Sequence, residues 1–356
     1  MYLKENSSIL ITGGAGFIGS HTSILLLESG YEVIIFDSLI NSSKNVIDRI
    51  RHFISLKDKE LFKKLIFEKG DVRNETTLNK VFENASRRNK PIRGVIHFAG
   101  LKSIEKSFEN TLNYWDVNLA GTISLLKVMK NKKCKLFVFS SSASIYSIKN
   151  KSPIKETDSI SPISNYGKSK ANVEKILKSL TEENRSDWSI ASLRYFNPAG
   201  AHPSSILGEG PTLYSTNLFP IINEVAIGKV DELKIFGNDW NTLDGTCVRD
   251  YIHVLDVAEG HLRTLEYLQK NNVPFLTLNI GSGKGSSVLD IVNTFQEENK
   301  VKIKYSFCKR RRGDCDTLFA DNSKALSVLN WAPKLSIQEM CKDSWNWQKK
   351  INNIHL

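Results

Sequence analysis

Tyr166 and Lys170 stand four residues apart in Asn165-Tyr-Gly-Lys-Ser-Lys170, downstream of the serine run Ser140-Ser-Ser-Ala-Ser-Ile-Tyr146. On a helix, positions four apart share a face, so the phenol and the ammonium point into one space. A free tyrosine has a pKa of about 10, and a neighbouring positive charge favours the phenolate. Lys170 would therefore help Tyr166 act as a base toward a substrate hydroxyl. Taken alone, the pair reads equally as a half-buried aromatic beside a solvated charge. The chemistry depends on what else the chain supplies.

The first supplement is near the N-terminus. Ser8-Ile-Leu-Ile-Thr12 reads as a short buried strand running into Gly13-Gly-Ala-Gly-Phe-Ile-Gly19 and then an amphipathic stretch, Ser20 to Ser29. Gly14, Gly16 and Gly19 satisfy G-x-G-x-x-G, in which the glycines permit a tight turn, backbone approach to a pyrophosphate and close helix–strand packing. The helix N-terminus that follows faces the phosphates with unpaired N–H groups. A second strand, Tyr31 to Phe36, ends in Asp37, eighteen residues past Gly19. A carboxylate there accepts hydrogen bonds from an adenosine ribose and repels a 2′-phosphate, so the expected cofactor is NAD. An oxidised nicotinamide then adds to the positive charge that makes Tyr166 a base.

The elements that position these groups follow from the apolar runs. Leu65 to Phe67, Gly94 to Phe98, Lys135 to Phe139 and Ser189 to Leu193 alternate with polar or helical stretches, which implies a parallel sheet covered on both faces. The fold class expected is α/β, a doubly wound parallel Rossmann sheet with a smaller C-terminal α/β domain for substrate. Ligands lie at the carboxyl ends of such strands. Gly13, Asp37, Asp71, Phe98-Ala99-Gly100, Ser140 to Ser142 and Tyr195-Phe-Asn197 all fall there.

Composition excludes several other classes. A chain of 356 residues buries about three quarters of its unfolded surface and requires no disulfide or structural metal. The five cysteines form no C-x-x-C pair and read as reduced thiols of a cytoplasmic protein. The seven histidines show no metal-ligand spacing. No run approaches membrane-spanning length. The net charge of +11 comes mostly from scattered lysines, which favours a lysine-rich surface over a nucleic-acid site. The one dense run, Lys309-Arg-Arg-Arg312, leads into Gly313-Asp314 and reads as a phosphate-clamping loop. The segment from Ser38 to Lys64 is long enough for one or two helices.

With these motifs in view, the chain resembles the UDP-galactose 4-epimerases of the extended short-chain dehydrogenase/reductase superfamily over nearly its whole length. The resemblance is carried by the glycine loop and by Gly70-Asp-Val-Arg-Asn74, His97-Phe-Ala-Gly-Leu-Lys102, the serine run, Tyr166-Gly-Lys-Ser-Lys170 and Arg194-Tyr-Phe-Asn-Pro-Ala-Gly-Ala-His-Pro203. More specific than the glycine loop are that last motif together with Phe236-Gly-Asn-Asp239, Asp244-Gly-Thr-Cys-Val-Arg-Asp-Tyr-Ile-His-Val254 and Arg311-Arg-Gly-Asp314. It implies that Tyr166 takes the proton from the sugar O4, with Ser142 assisting and Lys170 holding the nicotinamide ribose. Gly13, Gly14, Gly16, Phe17, Ile18, Gly19, Asp37, Asp71, Val72, Phe98, Ala99, Gly100, Lys102, Ser140, Tyr166, Lys170 and Tyr195 would line the cofactor site. Asp71 and Val72 would meet the adenine and Lys102 the phosphates. Asn197, Asn217, Leu218, Arg249, Arg311, Asp314 and Leu318 would join Ser142 and Tyr166 in holding the UDP-sugar, because arginine forks match phosphate oxygens.

The implied reaction is NAD-dependent, reversible 4-epimerisation of UDP-glucose and UDP-galactose through a 4-keto sugar. Related dehydratases carry an acid just after the strand-end serines, and here Ser142 is followed by Ala143-Ser144. The alternatives are another NAD-dependent nucleotide-sugar epimerase or dehydratase, or a non-catalytic dinucleotide-binding protein. Leu318 stands where relatives restricted to glucose and galactose carry tyrosine, which leaves two readings: a pocket open to N-acetylated UDP-sugars as a second substrate pair, or a leucine that simply packs while its neighbours close the gap. The domains expected are an NAD-binding domain over 1–180, with 189–197 and about 250–260 returning to it, and a UDP-sugar domain over most of 181–356. The resemblance also implies a cytoplasmic homodimer joined by helices, with no metal, membrane or nucleic-acid partner.

Overall fold

The computed structural model describes residues 6–183, 187–210, 217–271, 273–311 and 313–354. Arg312 of the basic run and the first five residues lie outside them. The chain divides into two compact units. One holds residues up to Ile145, Ile160–Arg194 and Ala258–Leu278; the other holds Tyr146–Ser159, Tyr195–Val257 and the chain from Asn279 onward.

The first unit is built on a seven-stranded sheet. Its order is Phe275–Ile280, Ser189–Tyr195, Leu136–Ser142, Ile92–His97, Ser8–Thr12, Glu32–Asp37 and Leu65–Lys69. Ser8–Thr12 pairs in parallel with both of its neighbours, as Leu10↔Ile34 and Leu10↔Val95. Successive residues Ile9, Leu10 and Ile11 are all fully buried, so both faces of the sheet are covered. One face packs Leu10, Ile34, Phe36, Val95 and Phe137 on helices Glu75–Arg87, Gly121–Asn131 and Asn165–Glu182. Each aliphatic side chain so buried contributes about 1.5–3 kcal/mol against exposure. The expected fold class is the one observed. The strand Phe275–Ile280 is an addition to the sequence reading, and it brings the chain back to the sheet over Ala258–Leu278.

The helix after the glycine loop departs from expectation. It runs over Phe17–Glu28, and instead of being amphipathic it is buried almost all round. Its polar residues turn their hydrogen bonds onto their own helix: Ser20 and His21 to the Phe17 oxygen, Thr22 to Ile18 and Ser23 to Gly19. Polar side chains satisfied in this way tolerate burial. The stretch after Asp37 forms two helices, Lys44–Lys57 and Lys59–Lys63.

The second unit carries short sheets. Tyr251–His253 pairs with Asn197–Ala199, and Tyr305–Cys308 with Leu233–Phe236. Val248–Arg249 lies between Ser286–Ser287 and Thr317–Leu318. Helices Leu218–Ala226, Val288–Asn299 and Ile337–Ile351 close a core around Phe219, Ile222, Phe295 and Trp345. Ser287 and Ser336 start the last two with capping boxes, each satisfying otherwise orphaned N–H groups.

Candidate active site

In the first unit the glycine loop is pared down to backbone. Gly13 adopts φ +69°, and a Cβ there would lie 2.6 Å from the Ala99 nitrogen. A Cβ on Gly19 would lie 2.5 Å from the Gly13 oxygen, and one on Gly14 would meet Ile35. Gly16 caps the helix without a side chain, so its first N–H groups remain available to an anion. Asp37, 6% exposed at its strand end, accepts from the Ala15 and Leu39 nitrogens and from the Ser42 hydroxyl. It therefore ties the second strand to the loop. A dinucleotide with its pyrophosphate on this helix end and its ribose on Asp37 fits these residues.

Asp71 is held by a neighbour that the sequence reading passed over. Arg73 pairs with both Asp71 oxygens and reaches on to Asp116. These bonds hold the Asp71 carboxyl below the usual carboxylate range. Val72 is buried, its methyl group facing Gly121.

The candidate reacting groups lie at the next strand ends. Ser164 caps helix Asn165–Glu182 by accepting from the Gly167 nitrogen. A Cβ on Gly167 would stand 2.4 Å from the Ser144 oxygen, so glycine alone lets the helix start so close to the serine run. Tyr166 and Lys170 share one face, as their spacing predicts. The Lys170 ammonium donates to the Ser140 oxygen at 2.8 Å and lies 4.8 Å from the centre of the Phe139 ring. Burial pushes this lysine down to about 8. Burial pushes the Tyr166 phenol up, and a hydrogen bond with Ser142 partly offsets that. Lys170 sits against the tyrosine ring, and the protein's own groups leave the phenol above its ordinary value. The expected fall in its pKa therefore has to come from a further positive charge.

Asn118 is a candidate site residue that chain-order reasoning missed. It lies in a π-helical turn, Trp115–Ala120, a distortion frequent at functional sites. Its side chain accepts from the Leu101 nitrogen and donates to the Leu101 oxygen and the Ser169 hydroxyl. The loop carrying Phe98, Ala99, Gly100 and Lys102 is thereby stapled to the Tyr166 helix. A Cβ on Gly100 would lie 3.0 Å from Asn118 Oδ1 and 3.8 Å from Lys170 Nζ. Beneath, His97 bridges Thr12 and Thr122. Thr122 spends its proton on the Asn118 oxygen, which assigns the imidazole proton to Nε2. Burial pushes His97 down to about 3, so it stays neutral beside Lys170. Further along the Tyr166 helix, Glu174 accepts from Arg194 at 2.7 Å and from Ser192. That buried pair fixes the helix to strand Ser189–Tyr195.

The second unit gathers the other residues. Arg249 donates to Asp314 at 3.3 Å, and Leu318 is its register partner on the adjoining strand. Asn197 donates from both its main chain and its side chain to the Asp250 oxygen. The buried Asp250 carboxylate in turn accepts from Ser282, Gly283 and Ala320. The Arg311 guanidinium lies 4.2 Å over the Phe236 ring. Asn217 precedes helix Leu218–Ala226 and donates to Glu209. Leu218 packs against the core of this unit. Tyr195, expected with the cofactor set, is counted in this second unit.

Comparison with known proteins shows the family. A family model described as GDP-mannose 4,6 dehydratase matches residues 10–344. UDP-glucose 4-epimerase of Bacillus subtilis is 44% identical over 97% of this chain and 98% of its own. The chain belongs to the UDP-glucose 4-epimerase family of extended short-chain dehydrogenase/reductases. Two solved structures extend the likeness to the fold. The UDP-glucose 4-epimerase of Stenotrophomonas maltophila, with bound NAD and formylated UDP-arabinopyranose, is 38% identical with a TM-score of 0.91, covering 98% of this chain and 100% of that one. The Bifidobacterium longum epimerase, in complex with NAD+ and UDP, is 39% identical with a TM-score of 0.90 and the same coverage. Both structures are covered over their whole length.

Proposed function

We propose that this protein is an isomerase that interconverts UDP-glucose and UDP-galactose at C4, with NAD as its cofactor. The carrying observation is the convergence of Tyr166, Ser142 and Lys170 at the end of strand Leu136–Ser142, in a chain 44% identical to UDP-glucose 4-epimerases of rice and Bacillus subtilis. When bound, NAD supplies reversible hydride exchange with the sugar C4 and, in its oxidised form, the positive charge that the tyrosine needs. Tyr166 removes the O4 proton and later returns it. Ser142 hydrogen-bonds the phenol and the sugar hydroxyl, easing the proton's passage. Lys170 holds the nicotinamide ribose from its seat on Ser140. Arg249 and Arg311 clamp the diphosphate, while Asp314, Asn197 and Asn217 hold the rest of the UDP-sugar. Anchoring the nucleotide leaves the flat 4-keto sugar free to turn and accept the hydride on its other face. Ala143 offers no acid to expel water, so the dehydratase branch is disfavoured. Incubating the purified protein with UDP-galactose and following UDP-glucose by chromatography tests the reading. No conversion by a folded, NAD-loaded sample would overturn it.

A second substrate pair is favoured by Leu318. It is half-buried beside Arg249, and leucine is shorter than tyrosine and lacks its hydroxyl. N-acetylated UDP-sugars therefore fit the same site. Leu318→Tyr should lose turnover of that pair selectively, and no turnover of it by the parent would rule the idea out.

The working form proposed is a cytoplasmic homodimer. Among the described residues no helix is long and apolar enough to cross a membrane. Ile104, Phe108 and Leu112 are exposed on consecutive short helices and offer an apolar face for a second copy. Light scattering that reports a monomer at working concentration would remove the dimer.

A further inference from the structure

We propose that Arg310 is a positioning residue for the nucleotide-sugar half of the site: stacked on Trp240 and paired with Asp239, it fixes the segment that carries Arg311 and Asp314. The inference rests on the function proposed above and gives a role to a cluster that function has not used.

Strands Leu233–Phe236 and Tyr305–Cys308 run parallel and end together, with Phe236 opposite Cys308 and the Gly237 nitrogen bonded to the Cys308 oxygen. From there one segment turns through Gly237 to Trp240, and the other continues through Lys309 and Arg310 to Arg311. The first turn is rigid. Trp240 Nε1 donates to the Phe236 oxygen at 2.9 Å, and its ring lies against Gly237, which adopts φ +87° and has no room for a Cβ. The second turn is laid upon it. The Arg310 guanidinium stands 4.1 Å over the Trp240 ring, and its Nε donates to Asp239 Oδ1 at 2.8 Å. The next residue, Arg311, lies over Phe236, so consecutive arginines rest on two aromatics of one turn. Three residues beyond Arg311, Asp314 meets Arg249. Trp240, Arg310 and Asp314 also line one cleft of about 530 Å³.

The energetics indicate what such a cluster does. An exposed ion pair contributes only about 0.2–1 kcal/mol, and Arg310 and Asp239 are both exposed. Stacking of an exposed arginine on tryptophan adds about 0.5–1 kcal/mol. These amounts are small for global stability but sufficient to order an arginine-bearing loop before ligand arrives, and a preordered loop loses less freedom on binding. Arg310 thus acts through Arg311 and Asp314.

Charge and position make opposite forecasts for one substitution. Asp239→Asn removes a negative charge, so if Arg310 merely adds positive field, UDP-sugar binding should tighten or stay the same. If Arg310 positions its neighbours, releasing it should raise KM for UDP-glucose by about fivefold, comparable with loss of the stack or the pair. Trp240→Leu should do the same and Trp240→Phe, which keeps an aromatic face, should be close to the parent. UDP binding by calorimetry on the NAD-loaded enzyme should weaken in step, with kcat changed less than KM and NAD content unchanged. Unchanged or tighter UDP binding in Asp239→Asn, or equal behaviour of Trp240→Leu and Trp240→Phe, would overturn the proposal alone. A parent that neither turns over UDP-glucose nor binds UDP would overturn the proposed function and this inference together.

Discussion

The Lys170 ammonium donates its 2.8 Å hydrogen bond to the Ser140 main-chain oxygen while lying 5.9 Å from the centre of the Tyr166 ring. The lysine is therefore anchored to the strand end and acts on the tyrosine from the side of its ring. Both groups are shifted by burial in the direction that disfavours charge.

The folded pKa of Lys170, about 8, lies below its unfolded value of about 10.4. Between those values the unfolded chain binds more protons, so this group makes the protein more stable as pH rises from about 8 to 10.4. Below about 8 its full burial cost is present. Lys170→Met should remove that cost and stabilise cofactor-stripped protein at pH 7 by an amount on the order of 2–3 kcal/mol, with the gain shrinking toward pH 10. Paired thermal melts across that range check the sign. Activity moves the other way: the variant should be nearly inactive, and kcat of the parent should fall as pH climbs past about 8.

Tyr166→Phe keeps the ring packed and deletes the proton acceptor. NAD content should be unchanged and kcat should fall by roughly a hundredfold to ten-thousandfold. Near-normal turnover by the folded variant would remove Tyr166 from the chemistry.

Asp37 accepts from Ala15 of the glycine loop and from Leu39 and Ser42 of its own following turn, and its proposed second duty is toward the adenosine ribose. Asp37→Ala should lose cofactor on gel filtration and bind NAD and NADP with similar weak affinity. Retention of NAD as tight as in the parent would show that the carboxylate serves the loop alone.

The Glu174–Arg194 pair is buried on both sides. Arg194→Met leaves a carboxylate without its counter-ion and should destabilise by about 3–5 kcal/mol, whereas changing Glu174 and Arg194 together to apolar residues of similar volume should restore most of the loss. Denaturant titrations of the single and double variants decide this. Equal destabilisation in both would mean that packing, and not the stranded charge, is what Arg194 contributes.

Legibility followed locality. The glycine loop, Asp37 and the Tyr166–Lys170 face could be read because strand, turn and helix periods act over a few residues. Phe275–Ile280 escaped because its alternating threonine and asparagine look like a surface strand, and its partner Ser189–Tyr195 is remote in sequence. The polar helix Phe17–Glu28 misled because hydropathy does not register serines bonded to their own helix. Asn118, Arg73 and Trp240 matter through contacts with distant segments, which no spacing rule announces. Arg249 came into view only through family likeness, and so did its tie to Asp314, since nothing local links a strand residue to a loop so far along the chain.

The interleaving of the two units has a consequence for how the molecule comes into being. The sheet is incomplete until Phe275–Ile280 has been synthesised, and by then much of the other unit has already been made. A nascent or truncated chain ending near residue 260 would carry strand Ser189–Tyr195 as an open edge, able to pair with another chain. Neither half can therefore be cut out by a single scission, and a clipped product should aggregate instead of persisting as a cofactor-binding fragment.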